Sequence, residues 1–184
     1  ISMCGWAEEQ GYAVYDPANR MLTFKYGEKP SGDYIYDTDD TFKDYQHPGW
    51  LEHNKTLETV IFDKSFAKAR PKSTSDWFAY YTEYIEIEGI YAGFPVIKYE
   101  KHGSLTKIEG LEYLNTSNVT NMSRMFQGCC GLTSLEQLRH FDTSNVTSMS
   151  EMFIDCTSLT MLDLSSFDTG NVTDMYGMFW SCFS

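Results

Sequence analysis

NVTSMSEMF, residues 145–153, sets the reading of the whole chain. The same pattern stands at Asn118-Val119-Thr120-x-Met122-x-x-Met125-Phe126 and at Asn171-Val172-Thr173-x-Met175-x-x-Met178-Phe179, at spacings of 27 and 26 residues. A fixed period in that range marks stacked repeats, because one such unit cannot bury its apolar face alone. Agreement continues outside the motif. Each Phe is followed three residues later by Cys (Cys129, Cys156, Cys182) and preceded twelve residues earlier by Leu114, Phe141 or Phe167.

An apolar triplet precedes those residues, clearest as Leu159-x-x-Leu162-x-Leu164, which matches the LxxLxL strand of leucine-rich repeats. Within a regular unit Val146, Met149, Met152, Phe153 and Cys156 fall at i, i+3, i+6, i+7 and i+10, a spacing that predicts one face of a helix. Ser148-x-x-Glu151 reads as a capping box for its first turn. The predicted fold is therefore α/β, a leucine-rich-repeat-like solenoid of about five coils, each a short strand plus a short helix. Its core is expected to hold Phe126, Phe153, Phe179, Met125, Met152, Met178, Cys129, Cys156 and Cys182. Coils are expected from Leu105, Leu132 and Leu159, with a degenerate first coil from Leu57 in which Trp77-Phe78 replaces Met-Phe. A short coil between them reads Tyr84-x-x-Ile87-x-x-Ile90, followed by an irregular piece with Gly93, Pro95, His102 and Gly103.

Upstream of this array, residues 8–56 do not repeat. Tyr12-Ala13-Val14-Tyr15 and Met21-Leu22-Thr23-Phe24-Lys25-Tyr26 flank Asp16-Pro17-Ala18-Asn19, a pattern that predicts a β-hairpin. Tyr34-Ile35-Tyr36 adds a third extended piece. An exposed end of a repeat core must be covered, so this region is read as an N-terminal β cap. Residues 1–7 (ISMCGWA) read either as a signal-peptide remnant, with Gly5-Trp6-Ala7 as its cleavage site, or as an ordinary frayed terminus. A lipid anchor on Cys4 is disfavoured by the bulky Met3 before it. The expected organisation is thus a remnant at 1–7, a cap at 8–56 and the array at 57–184. The chain opens without Met and stops at Ser184 before the next Leu-x-x-Leu strand, so we read it as a fragment.

Hydrophobic residues at 42% exclude wholesale disorder, and a net charge of −12 excludes the basic patch a nucleic-acid binder needs. No stretch reaches the ~20 apolar residues that span a bilayer. His47, His53, His102 and His140 are scattered, and no HExxH, GxSxG, P-loop or GxGxxG motif is present, so no catalytic residue and no cofactor is expected. Carboxylate pairs for glycoside hydrolysis need only meet in space, which keeps a carbohydrate-active enzyme as a minority reading.

Several side-chain patterns invite a sharper reading. The residue after the second apolar position of each strand is Ile61, Glu88, Glu109, Glu136 and Asp163, so four successive coils would align a carboxylate. Strands about 4.8 Å apart would make these an acidic column. That column is either a solvated face or a binding stripe for a basic protein segment or divalent cations, since like charges directly opposite repel. Asp37, Asp39 and Asp40 lack the Gly and distal Glu of a calcium loop and read as a solvated turn; no metal site is expected. Cys129, Cys156 and Cys182 should form a column of small buried thiols, because helix spacing exceeds the Cα separation a disulfide needs. No CxxC pair suggests zinc. The Asn-Val-Thr triplets match the glycosylation acceptor pattern, but in a repeat Asn and Thr more simply satisfy turn backbone groups.

LDLSSFDTGNVTDMYGMF (162–179), FDTSNVTSMSEMF (141–153) and IEGLEYLNTSNVTNMSRMF (108–126) resemble the BspA-like leucine-rich-repeat surface proteins of bacteria. YAVYDPANRMLTFKY, the HPGW at 47–50 and VIFDKSFAKARP (60–71) resemble the N-terminal portion of members from gut and oral bacteria. The resemblance implies an exported, extracellular or cell-surface protein that adheres to a host matrix protein, a bacterial surface protein or a glycan. A structural spacer displaying another domain is the alternative. No catalytic residue is carried over by the resemblance.

Overall fold

The computed structural model describes residues 8–38, 47–81 and 103–182, and the backbone of 84–91 and 94–99 between them. The described residues contain seven strands: β1 (Glu9–Asp16), β2 (Met21–Glu28), β3 (Ile35–Asp37), β4 (Thr59–Phe62), β5 (Tyr84–Tyr91), β6 (Phe94–Tyr99) and β7 (Lys107–Glu109). Five form one open, mixed sheet in the order β3-β1-β2-β4-β7, antiparallel through β3, β1 and β2 and parallel from β2 to β7. The period-2 pattern holds: Ala13 and Tyr15 on β1, Leu22 and Phe24 on β2, and Val60 and Phe62 on β4 all point to the core.

The expected cap hairpin is there, and its turn is locally encoded. The Asp16 carboxylate accepts from the backbone N–H of Ala18 (2.9 Å) and Asn19 (3.2 Å) and from Asn19 Nδ2 (2.7 Å), an Asx-type turn that also lowers its pKa. Parallel pairing of β2 with β4 joins cap and repeats in one sheet over one core. Beneath it Phe24 stacks on Phe62 (4.6 Å) and Trp77 (5.1 Å), and Trp50 donates its Nε1 hydrogen to the Trp77 carbonyl at 2.7 Å. The HPGW segment thus supplies the ring that seals the cap onto the first repeat.

The strand-plus-helix solenoid expected from the periodicity is not what forms. Among the described residues there is no α-helix; regular segments outside the strands are short 3-10 stretches at Gly49–His53, Lys64–Lys68, Leu111–Tyr113 and Glu136–His140. Where a helix was expected, the chain makes consecutive turns. The N–H groups of Met125, Gln127 and Cys129 fold back to carbonyls three residues earlier, while those of Met122, Arg124, Phe126 and Gly128 donate sideways to Ser148, Ser150, Met152 and Ile154 at 2.8–2.9 Å. Sideways donation consumes the groups that an α-helix would direct to i−4. Arg124 and Glu151 also take left-handed backbone (both φ 56°), which L residues do not propagate as a helix. Ser148 caps no helix; its Oγ meets Ser123 Oγ at 2.7 Å and accepts from the Ser150 N–H at 3.5 Å within the turn. The apolar spacing misled because turns closed three residues back bring Val146, Met149, Met152, Phe153 and Cys156 to one buried face as a helix would.

Nor are there five coils. β5 and β6 form a separate antiparallel hairpin, and β4 pairs directly with β7, so the segment expected as a second coil is skipped. The N–H groups of Thr74, Asp76, Phe78 and Tyr80 donate to Asn121, Ser123, Met125 and Gln127. Unit 57–81 therefore lies beside unit 105–130, with 132–156 and 159–182 following, and parallel bridges run Ser73 to Asn121 to Ser148 to Asp174. Beyond β7 the Leu-x-x-Leu segments add no strand to the sheet; a single bridge joins Ser134 to Met161.

Candidate functional site

Register between units makes the repeat motif intelligible residue by residue. The rings of Phe126 and Phe153 stack at 5.6 Å and 1°, and those of Phe153 and Phe179 at 5.8 Å and 4°. Cys129, Cys156 and Cys182 are free thiols, each donating S–H to the carbonyl of the Phe one unit back: Phe78, Phe126 and Phe153. Burial pushes the Cys129 and Cys156 thiols up and Cys182 less far. The DTSNVT loop is equally explicit. Asp142 Oδ1 accepts from its own loop at Ser144, Thr143 Oγ1 donates forward to the Asp168 carbonyl (2.9 Å), and Asn145 Nδ2 and Thr147 Oγ1 donate back to Ser117 (2.8 Å) and Thr120 (3.0 Å). Asn171 and Thr173 repeat those last two bonds to Ser144 and Thr147. Asn and Thr thus cross-link neighbouring units as well as shaping turns.

The four acidic positions expected as a column are dispersed. Glu88 lies on β5, whose partner is β6 and not the main sheet; its side chain is outside the described residues. Glu109 stands beside Ile61 across β4 and β7 and pairs with Lys107 on its own strand. Glu136 opens a 3-10 segment, and the Asp163 carboxyl is held below its ordinary value by the Ser165 side chain and by the Ser165 N–H, which donates to it at 2.9 Å. Residues 1–7, Asp39, Asp40 and His102 lie outside the described residues, whereas Asp37 is engaged by Lys29 Nζ (2.5 Å) and Gln10 Nε2 (3.1 Å). No cluster of His, Cys, Asp and Glu able to hold a metal is found among the described residues.

One buried ionic network does form, between the first two units. Arg124 grips Asp76 with Nε at 2.7 Å and Nη2 at 3.2 Å; Tyr81 and Ser75 donate their hydroxyls to the same carboxylate, and His47 Nδ1 stands 3.8 Å away. Burial pushes the Asp76 carboxyl up, but the bonds from Arg124, Tyr81 and Ser75 outweigh it and hold the group below its ordinary value. Arg124 also reaches Glu151 Oε2 at 3.8 Å, extending the line of alternating charge one unit further.

The variation between units falls at other positions of the turns. Aligned through the sideways hydrogen bonds, one set of positions reads Trp77/Met125/Met152/Met178 and Phe78/Phe126/Phe153/Phe179, buried except for the half-exposed Phe179, while the positions between them read Asp76/Arg124/Glu151/Gly177, Ser75/Ser123/Ser150/Tyr176 and Ala79/Gln127/Ile154/Trp180, of which Ser75, Asp76, Ala79 and Ser123 are buried. The last unit alone places aromatics there: Tyr176 and Trp180 are 66% and 60% exposed and meet edge to face at 6.5 Å. A recess of about 370 Å³ opens beside them, lined by Ile154, Asp155, Trp180 and Ser181. The repeat pattern singles out neither aromatic. The available signal is their departure from the Ser and the Ala/Gln/Ile of the aligned units.

The three NVT units also fall within a known family pattern. Residues 99–184 match the family described as "Mycoplasma protein of unknown function, DUF285". No curated protein and no solved structure matches the chain. The DUF285 match takes in β7, the three NVT units and the Tyr176/Trp180 recess, and leaves the cap and the first unit outside it. No described helix is long and apolar enough to cross a membrane.

Proposed function

We propose that this chain is an exported bacterial surface module that binds other macromolecules through the varied positions of its repeat turns, in the manner the BspA-like resemblance implies. One observation supports the reading: in the three NVT units the inward positions keep Met and Phe, while the positions between them change from Ser123, Arg124 and Gln127 to Ser150, Glu151 and Ile154 and then to Tyr176, Gly177 and Trp180. A core held constant under a changing surface is what a scaffold for recognition needs, because stacking fixes the interior and leaves the exterior free to vary. The DUF285 match gives this reading a bacterial repeat context without assigning a ligand. The partner would be a host matrix protein, a bacterial surface protein or a glycan.

The spacer alternative draws on the unbroken hydrogen-bonded register from Ser73 to Asp174, which suits a stiff support. Titration of the chain against immobilised matrix proteins, bacterial envelope fractions and a glycan array separates the two. Saturable binding to at least one class supports recognition, and its absence across all three removes it in favour of the spacer.

A further inference from the structure

We infer that a polar groove on the flank of the stack, built by the loops that follow its 3-10 segments, binds one ring of a neutral glycan. The groove has a volume of about 250 Å³, and three successive units line it: Ala67 from the first, Glu112, Tyr113 and Asn115 from the second, and His140 and Asp142 from the third. None of these is among the turn residues that vary between units, so the groove goes beyond the recognition surface described above. Nor is it an end of the stack. Unit 159–182 already covers unit 132–156, and Thr143 Oγ1 ties the Asp142 loop to the Asp168 carbonyl at 2.9 Å. Repeat register builds the groove: Phe66, Leu114 and Phe141 hold equivalent places, so Ala67, Asn115 and Asp142 after them are equivalent too. Ala67 is the short one, and it leaves one end of the groove open where a third amide or carboxylate would otherwise stand.

Each polar loop spends one side-chain oxygen on itself. Asn115 Oδ1 accepts from the Ser117 N–H and hydroxyl at 3.0 and 2.7 Å, and Asp142 Oδ1 accepts from those of Ser144 at 3.1 and 2.6 Å. Asn115 Nδ2, a donor, and Asp142 Oδ2, an acceptor, are left without a partner among the described residues, as is the Glu112 carboxylate. His140 Nε2 accepts from Arg139 Nε at 3.3 Å, which leaves Nδ1 to carry the ring proton. Those groups select the ligand's chemistry. Sites for drug-sized molecules run about 300–1,000 Å³ and are mostly apolar, so a smaller, polar groove suits one hydrophilic ring. Glu112 and Asp142 repel an anion, and a bare cation would leave the Asn115 and His140 donors idle. A sugar hydroxyl both donates and accepts, so a sugar ring engages carboxylate, amide and imidazole together. Tyr113 adds apolar area for the C–H face of that ring. Its own ring packs against Gly110, where φ is 69° and a Cβ would stand 3.2 Å from Tyr113 Cδ2 and collide with the Phe62 carbonyl oxygen.

The test puts the full chain on an array of neutral and acidic oligosaccharides and titrates the strongest neutral binder by calorimetry against wild type and two variants. Saturable binding of a neutral oligosaccharide is expected. Asp142→Asn keeps the Oδ1 acceptor for the Ser144 loop, as Asn115 does one unit earlier, but removes the charged acceptor. Hydrogen bonds to charged groups are roughly twice as strong as neutral ones, so binding should fall about tenfold. Ala67→Leu, at an exposed position, fills the open end without removing a polar group and should weaken binding at least as much. Melting temperatures that match wild type show that the fold is intact; should Ala67→Leu melt lower, Asp142→Asn decides alone. Unchanged affinity in a variant of intact fold overturns the groove as the site, and selection of acidic over neutral glycans overturns its chemistry. If no glycan binds while matrix proteins or envelope fractions do, the groove inference falls and the recognition reading stands; if nothing binds across the whole panel, both fall.

Discussion

Removing the middle ring of the phenylalanine stack tests the packing most directly. Phe153 is fully buried and sandwiched between Phe126 at 5.6 Å and Phe179 at 5.8 Å, both nearly parallel to it. Truncating a buried Phe to Ala costs about 3–5 kcal/mol through lost transfer energy and the cavity left behind. Two stacked neighbours place Phe153→Ala in the upper half of that range, since each aromatic pair adds ~0.5–1.5 kcal/mol beyond area burial. Phe179→Ala is the matched control, with the same residue type at the same unit position but 50% exposed and, among the described residues, stacked on Phe153 alone. Half the burial and one pair give about 1–2 kcal/mol. For a chain of this size each kcal/mol moves the midpoint by ~2–4 °C, so Phe153→Ala should melt roughly 8–20 °C below wild type and Phe179→Ala by less than half as much. Circular dichroism melts with urea titrations supply both numbers. Equal losses in the two variants, or a loss below about 1 kcal/mol for Phe153→Ala, would refute the stacked register.

Two further outcomes follow from the ionic network and the thiols. Because the folded pKa of Asp76 lies below its unfolded value of about 3.9, its contribution is present above that pH and is lost as pH falls through the folded pKa. Urea titrations at pH 7 and pH 3 should therefore show acid destabilisation that is smaller in Asp76→Asn; an unchanged difference counts against the network. Arg124→Met should cost about 1–3 kcal/mol at pH 7 by leaving a mostly buried carboxylate with only Tyr81 and Ser75 as strong donors. Cys129 and Cys156, buried and with thiols pushed up, should resist a thiol-reactive disulfide reagent until the chain is denatured, while the half-buried Cys182 reacts earlier; mass spectrometry of the labelled sites decides, and prompt labelling of Cys156 in the native state would contradict its burial.

Much of the core is legible in the residue pattern alone. The period identifies Met125, Met152, Met178, Phe126, Phe153, Phe179, Cys129, Cys156 and Cys182 as inward-facing; all are buried except Cys182, which is half-buried, and Phe179, which is half-exposed in the last unit; alignment alone equates Trp77-Phe78 with the Met-Phe pairs, and the sideways hydrogen bonds place them in that register. The cap hairpin is visible because Asp16-Pro17-Ala18-Asn19 encodes its turn within four residues. The candidate site is far less legible. The acidic alignment assumes that Tyr84–Tyr91 continues the ladder, but strand pairing is chosen by the whole sheet, and β4 reaches past that segment to β7. Tyr176 and Trp180 read as two more apolar residues along the chain until the units are aligned, where they replace Ser150 and Ile154.

By itself the sequence determined the repeat period, the buried stripe and the cap, because each depends on spacing along the chain. Only the tertiary structure decided that the stripe is made of turns instead of helices. Backbone N–H groups of Met122, Arg124 and Phe126 have two possible acceptors, four residues back or one unit across, and apolar spacing is the same for both. The neighbouring unit settles the choice, since its carbonyls of Ser148, Ser150 and Met152 stand in register to accept and become buried polar groups needing a partner.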